Sequence, residues 1–204
     1  MDKLQLLQSL RKKKFPEYIV EAFSEVPRES FISHDFTEKA YDDTALPIGH
    51  GQTISQPYTI AVMLSELKIK KGQKILEIGS GSGYALALIS ELVGSKGKVF
   101  GIEVVPELAT SSKKKLVRYK NVKIENRNGS EGLPEKAPFD GILISAAIHE
   151  IPERLMGQLK VGGILVAPKG SRFEQDIIVI KRISENEFEF LKKIPGFVFV
   201  PFID

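Results

Sequence analysis

Ile75-Leu76-Glu77-Ile78 runs without a break into Gly79-Ser80-Gly81-Ser82-Gly83-Tyr84, and an apolar helical pattern follows from Tyr84 to Val93. Few architectures accept that order. An apolar strand that turns on glycines into a helix is the opening unit of an α/β layer, because glycine lets the backbone turn sharply and approach a ligand. The chain continues the alternation with a strand at Val99–Glu103, a helix at Pro106–Tyr119 and a strand at Val122–Glu125. A strand at Phe139–Ser145, a helix at Pro152–Leu159 and a strand at Gly163–Ala167 extend it. Such a series predicts an α/β fold with a doubly wound, mostly parallel sheet. Two later runs, Asp176–Ile183 and Phe197–Phe202, have no crossover helix between them and are expected to add an antiparallel C-terminal hairpin at the sheet edge.

Ahead of the core, Leu4, Leu7 and Leu10, then Ile19, Val20 and Phe23, recur at helical spacing on either side of Phe15-Pro16, which predicts two short helices. From Val26 to Gln56 periodicity is lost and Pro27, Pro47, Gly49 and Gly51 accumulate; a connection of that length is usually functional. A helix follows from Pro57, with Ile60, Ala61, Met63, Leu64 and Leu67 on one face. The whole, 1–204, reads as one domain, with N-terminal helices and a long loop over 1–56 and a ligand-binding core over 57–204.

The 29 basic and 26 acidic residues leave a formal charge of +3, a weak field that argues against a nucleic-acid partner. The basic runs Arg11-Lys12-Lys13-Lys14 and Lys113-Lys114-Lys115 lie in helical patterns and read as solvated faces. Absence of cysteine excludes disulfides, thiolate metal sites and a cysteine nucleophile, and the scattered His34, His50 and His149 make no metal set. A charged, amphipathic start and the lack of an apolar run of about 18 residues predict a cytoplasmic protein without a membrane partner.

Glu103 ends the strand after the glycine loop, twenty positions beyond Gly83, where a carboxylate can accept both hydroxyls of an adenosine ribose. Nicotinamide dinucleotides and S-adenosylmethionine both carry such a ribose. The dinucleotide fingerprint places its last glycine at the sixth loop position, which here is Tyr84, and no Gly-Lys-Ser/Thr follows to make a phosphate-binding loop. S-adenosylmethionine has no phosphate and carries a methionyl amine, with which the neighbouring acid Glu77 is compatible.

Methyl transfer from a sulfonium asks the protein to align a nucleophile and exclude water. An amine or alcohol needs a base, whereas a carboxylate of pKa near ~4 is already ionised at neutral pH. The strand at Phe139–Ser145 is followed by Ala146-Ala147-Ile148, without the Asp/Asn-Pro-Pro-aromatic segment that grips planar amines. His149 remains as an isolated base candidate. Ser55, two residues before Pro57, reads equally as a helix cap or as a group that meets a substrate carboxylate near a helix start.

The segments Val26-Pro27-Arg28-Glu29-Ser30-Phe31, Ala40-Tyr41-Asp42-Asp43-Thr44-Ala45-Leu46-Pro47-Ile48-Gly49, Gly51-Gln52-Thr53-Ile54-Ser55-Gln56-Pro57-Tyr58 and Leu76–Tyr84 together resemble the protein-L-isoaspartate O-methyltransferase family. Ala137-Pro138-Phe139-Asp140, Ser145-Ala146-Ala147, Gln158–Gly163 and Phe199-Val200-Pro201-Phe202 agree, in order, over nearly the whole chain. The resemblance implies a Rossmann-like methyltransferase fold and methylation of the α-carboxylate of L-isoaspartyl residues in proteins or peptides, by a monomer. The resulting ester closes to a succinimide whose hydrolysis returns some normal aspartate. It also implies that Ser55 orients the carboxylate as the catalytic residue, that Thr53, Ile54, Ser145 and Ala146 shape the substrate pocket, and that S-adenosylmethionine is the cofactor. Glu77, Gly79, Ser80, Gly81, Ser82, Gly83, Tyr84, Glu103, Asn128 and Gly129 would then bind that cofactor. The chain departs from the family at Arg127-Asn128-Gly129, where Gly-Asp-Gly is usual; Asn128 can accept from the adenine amino group but brings no charge. Two alternatives stand beside this reading: a methyltransferase of another acceptor, and a non-catalytic relative that keeps the fold.

Overall fold

The computed structural model describes residues 1–171 and 173–203. In chain order the elements are α1 (Lys3–Lys12), α2 (Glu17–Glu25), β1 (Leu46–Gly49), β2 (Gln52–Ile54), α3 (Pro57–Leu67), β3 (Lys74–Ile78) and α4 (Tyr84–Val93). They continue with β4 (Lys98–Glu103), α5 (Pro106–Lys115), β5 (Val122–Asn126), β6 (Phe139–Ile144), α6 (Glu153–Met156), β7 (Leu159–Gly170), β8 (Gln175–Arg182) and β9 (Phe188–Phe197). The main sheet has the order β5-β4-β3-β6-β7-β8-β9, parallel from β5 to β7 and antiparallel at β8 and β9. This is the α/β architecture that the alternation predicts. Because the chain leaves β3 toward β4 and β5 and then returns to β6 on the other side, the crevice at the carboxyl ends of β3 and β6 is the topological switch point.

Alternation along the strands divides the core. Ile75, Leu143 and Val166 pack with α3 and α4, behind which α1 and α2 contribute Leu6, Leu10, Ile19 and Phe23. On the opposite face Leu76, Ile78, Phe100, Phe139, Ile142 and Leu165 pack beneath Leu133, from the segment before β6, and Leu155 of α6. The segment 26–56, expected to be a loop, contains two 3-10 turns, Arg28–Phe31 and His34–Lys39, and the antiparallel β1–β2 hairpin, which shares no ladder with the main sheet.

Several boundaries differ from expectation: β7, expected over Gly163–Ala167, runs from Leu159 to Gly170, and three further differences have a visible cause or consequence. The helix expected over Pro152–Leu159 is a single turn, because Leu159 must pair with Phe139 and the carbonyl of Gln158 accepts from Phe139 N at 2.8 Å. The helix from Pro106 stops at Lys115; Lys115 is no solvated bystander, since its Nζ donates to the Phe31 carbonyl at 3.1 Å. The second strand of the C-terminal hairpin is Phe188–Phe197, and the expected strand Phe197–Phe202 instead crosses the carboxyl edge of the sheet. There Ala147 N donates to Val200 O at 2.8 Å and Phe202 N to Ala147 O at 2.9 Å. Buried Gln175 sets the crossing, accepting from Phe199 N at 2.7 Å and donating to the Ser171 carbonyl.

Buried Gln158 ties off α6 in the same way: its Oε1 accepts from Leu133 N at 2.8 Å, and its Nε2 donates to Glu131 O at 2.8 Å and Arg154 O at 3.0 Å. Gln158→Leu would strand these backbone groups, and we expect it to lower unfolding stability by about 2 to 4 kcal/mol in a urea titration. An unchanged midpoint would show that other partners replace the amide.

Candidate functional site

The glycine loop leaves β3 with Gly79, Gly81 and Gly83 at φ of +78°, +50° and +85°, the left-handed region in which side chains are strained. Its shape is held from the next strand. Glu103, 5% exposed, accepts from Gly81 N at 2.7 Å through Oε2 and from Val105 N at 2.9 Å through Oε1. Gly79 N and Ser80 N donate to the Ile102 carbonyl at 2.9 and 3.0 Å, and Gly83 N to the Ser80 carbonyl at 2.8 Å. An ionised carboxylate offers about four lone-pair sites, so two amides leave Glu103 able to accept further hydroxyls.

Two adjoining recesses of about 530 and 460 Å³ open along this loop. The first lies between Glu103, Gly129 and the apolar side chains of Ile78, Ile102, Val104, Val200 and Phe202. Gly129 forms a flat wall: a Cβ there would sit 2.4 Å from Ile78 Cγ2 and 3.2 Å from the Phe202 ring. The second gathers Thr53, Ile54, Ser55, Glu77, Ser80, Ser82, Tyr84 and Ser145, with Ile60 and Met63 of α3. Thr53, Gly79, Gly81 and Ser145 border both, and Ala146 closes the first.

Glu77 is the chemical centre of the second recess. It is 1% exposed; its Oε1 accepts from Ser145 Oγ at 2.7 Å and its Oε2 has no partner among the described residues. Burial pushes its carboxyl up to about 8, against the Ser145 hydroxyl, which lowers it, and with the charge of Glu103 adding to the rise. Ser80 Oγ is likewise buried and unpartnered. An unsatisfied acid and hydroxyl beside the glycine loop suit a zwitterionic amino-acid group, and the first recess suits a flat base on a ribose that meets Glu103. The residues therefore fit S-adenosylmethionine.

The β1–β2 hairpin covers the loop, with Ile48 Cδ1 3.2 Å from where a Cβ on Gly81 would lie. Ser55 is half-buried and is not the cap of α3: Asp43 Oδ1 accepts from Tyr58 N at 2.8 Å in that role, and Ser55 Oγ bonds to none of the described residues. Its hydroxyl therefore remains available at the helix start. His34, His50 and His149 are exposed, and among the described residues no group of metal-binding side chains gathers.

Three expected ligands sit differently from the rest, the first being Gly83, which borders neither recess and faces Leu116 and Ser112. Asn128 is exposed and outside both recesses, because its Oδ1 accepts from Ser130 N at 2.7 Å to cap the 3-10 turn Gly129–Glu131. Its neighbour Arg127 turns toward Glu135 and Glu125, at 3.3 and 3.8 Å. Tyr84 borders the second recess, but its ring packs into the core against Phe31 and Phe23, with centroids 5.5 and 6.1 Å apart. Sequence reasoning missed Gln52, Ile78, Ile102, Val104 and the wall from Val200 to Ile203, all of which line the first recess. The signal for that wall was present in Phe199-Val200-Pro201-Phe202, assigned instead to a hairpin strand.

Comparison with known proteins agrees with this geometry. The family model for protein-L-isoaspartate(D-aspartate) O-methyltransferase matches residues 1–204. A protein-L-isoaspartate O-methyltransferase of Methanothrix thermoacetophila is 42% identical over 205 residues, covering 100% of this chain and 95% of the relative. A solved protein-L-isoaspartate O-methyltransferase superposes with a TM-score of 0.90 at 29% identity, over 98% of this chain and 65% of that longer one. A second, from Plasmodium falciparum, is described as a candidate enzyme of the same kind in complex with S-adenosyl-L-homocysteine; it gives a TM-score of 0.84 at 26% identity, over 98% and 97% of the two chains. With the glycine loop, the paired recesses and the covering hairpin in place, the chain belongs to the protein-L-isoaspartate(D-aspartate) O-methyltransferase family.

Proposed function

We propose that the chain methylates the α-carboxylate of L-isoaspartyl residues in proteins and peptides, with Ser55 orienting that carboxylate and Thr53, Ile54, Ser145 and Ala146 bounding its pocket. The observation that carries this reading is the free Ser55 hydroxyl beside the start of α3, in a recess that also holds Glu77 and the glycine loop. Bound S-adenosylmethionine supplies an electrophilic methyl on a sulfonium. The protein's part is to hold and align. Glu103 meets the ribose hydroxyls while keeping the loop in shape, Gly129 and Phe202 bound a flat space for the base, and the Ser80 and Ser82 hydroxyls receive the amino-acid carboxylate. Glu77 faces the amine. The Ser55 hydroxyl attracts the acceptor carboxylate, which is ionised at neutral pH and needs no base. The same reading takes the chain as one domain acting as a cytoplasmic monomer, with no nucleic-acid or membrane partner; the charge of +3 and the lack of cysteine support it. No described helix is long and apolar enough to cross a membrane.

Transfer of labelled methyl to an L-isoaspartyl peptide and to its normal aspartyl twin tests the acceptor. We expect labelling of the first alone, with methanol released in mild base; equal labelling would overturn the assignment. Ser55→Ala should lower kcat/KM by about 10- to 100-fold through lost alignment. His149→Ala should stay within about twofold of the parent, since an ionised acceptor needs no general base.

Glu77 gives a pH test. In the free protein its carboxyl titrates near 8, above the ordinary value of 4.5, so the folded state binds a proton that the unfolded state gives up earlier. Its contribution to stability therefore falls as pH rises through that interval and levels off above it. A ligand ammonium prefers the ionised form. Affinity for S-adenosylmethionine should consequently rise with pH toward 8, by up to about tenfold per unit, the limit for one linked proton. Calorimetry across that range should show the slope in the parent and a flat profile in Glu77→Gln. A flat parent profile would remove Glu77 from the amine site.

A further inference from the structure

We propose that Arg28 is a positioning residue for the reaction, a buried cationic strut that seats the β1–β2 hairpin on the glycine loop; this rests on the reading that the hairpin leads into the substrate pocket. Arg28 follows Pro27 at the start of a 3-10 turn and is 0% exposed. Among the described residues no carboxylate lies within ion-pair reach of it and its Nε and Nη1 have no partner. Its two interactions point to different parts of the site. Nη2 donates to the Thr44 carbonyl at 3.3 Å, two residues ahead of β1, and the guanidinium carbon stands 5.2 Å from the centre of the Tyr84 ring, directly after Gly83.

A buried, unpaired cation is a costly way to fill space, since an apolar side chain of similar volume is usually neutral or stabilising. A reason other than packing is therefore required, and the hairpin provides one. It has no ladder to the main sheet, so side chains alone decide where it sits. Leu46 and Ile54 bury in the core, Ile48 lies over Gly81 and Asp43 accepts from Tyr58 N; the Arg28 bridge adds the polar link from its approach to the residue after the glycine loop. Tyr84 is well suited to receive the charge. Its ring is fixed by Phe23 and Phe31, and a cation over a desolvated ring face is held more strongly than one in water. The neighbouring acids are engaged elsewhere: Glu29 accepts from the Tyr41 hydroxyl, and Asp43 caps α3 and approaches Lys13 at 3.5 Å.

The test compares Arg28→Met, Tyr84→Leu and the double variant. Arg28→Met should fold with undiminished stability, because it removes an unpaired buried charge. It should raise KM for the isoaspartyl peptide about tenfold, the effect of one lost charge-assisted bond, while kcat changes less than about twofold. Without any substrate, hydrogen exchange at the amides of 46–54 should quicken while that of β3 and β4 stays as in the parent. Tyr84→Leu should quicken the same amides, and the double variant should be no worse than the more affected single one, since both remove one bridge. Unchanged exchange at 46–54 in a folded Arg28→Met protein, or additive effects in the double variant, would overturn the proposal. The exchange measurement needs no methyl acceptor, so it judges Arg28 even if the parent spares isoaspartyl peptides and the proposed substrate is wrong.

Discussion

Two backbone amides, those of Gly81 and Val105, converge on the Glu103 carboxylate, and the geometry of the site follows from that convergence. The bond to Gly81 spans from the end of β4 to the middle of the loop leaving β3, so an acid that can meet a ribose also sets the curvature of the loop beneath it. Hydrogen bonds from Gly79 N and Ser80 N to Ile102 fasten the same loop one residue earlier on β4. The left-handed glycines can then be held without side-chain strain, their amides taken up by Ile102, Glu103 and Ser80. Loss of the Glu103 carboxyl would remove a ligand and a structural support together.

On the far side of β3 the logic is reversed. Glu77 and Ser145 meet across the switch point, where Ser145 N also donates to Ile78 O at 2.8 Å. That pairing satisfies half of a carboxyl group that burial drives toward its neutral form. One acid is thus held by two backbone amides with capacity to spare at the border of the crevice; the other is partly satisfied and enclosed.

Much of this was legible in the sequence where local pattern and tertiary demand coincide. The strand-to-glycine junction at Ile78-Gly79 and the acid at Glu103 depend on residues close in the chain, and both appear where the spacing puts them. Elements decided by distant partners were misread. The helix from Pro152 ends early because Gln158 and Leu159 are claimed by the segment before β6 and by Phe139, partners more than 19 residues away. Phe197–Phe202 has strand-like composition, yet its ladder partner is a loop at Ala147, because Gln175 diverts it. Asn128 shows a subtler limit. A polar residue at a strand end reads as a ligand, but the same amide is also a good cap, and the turn after it takes the oxygen.

The two edges of the sheet also bear on what such a chain can tolerate around it. β9, at one end, carries Lys192 and Lys193, held by Glu66 and Asp176 on neighbouring elements, and closes on Pro195. β5, at the other, is five residues long and carries Lys123 and Glu125. Charge, proline and brevity are the devices that keep an open edge from templating further strands. For a chain of the protein-L-isoaspartate(D-aspartate) O-methyltransferase family, whose acceptors are themselves polypeptides, this disfavours pairing of another chain's strand with the ladder.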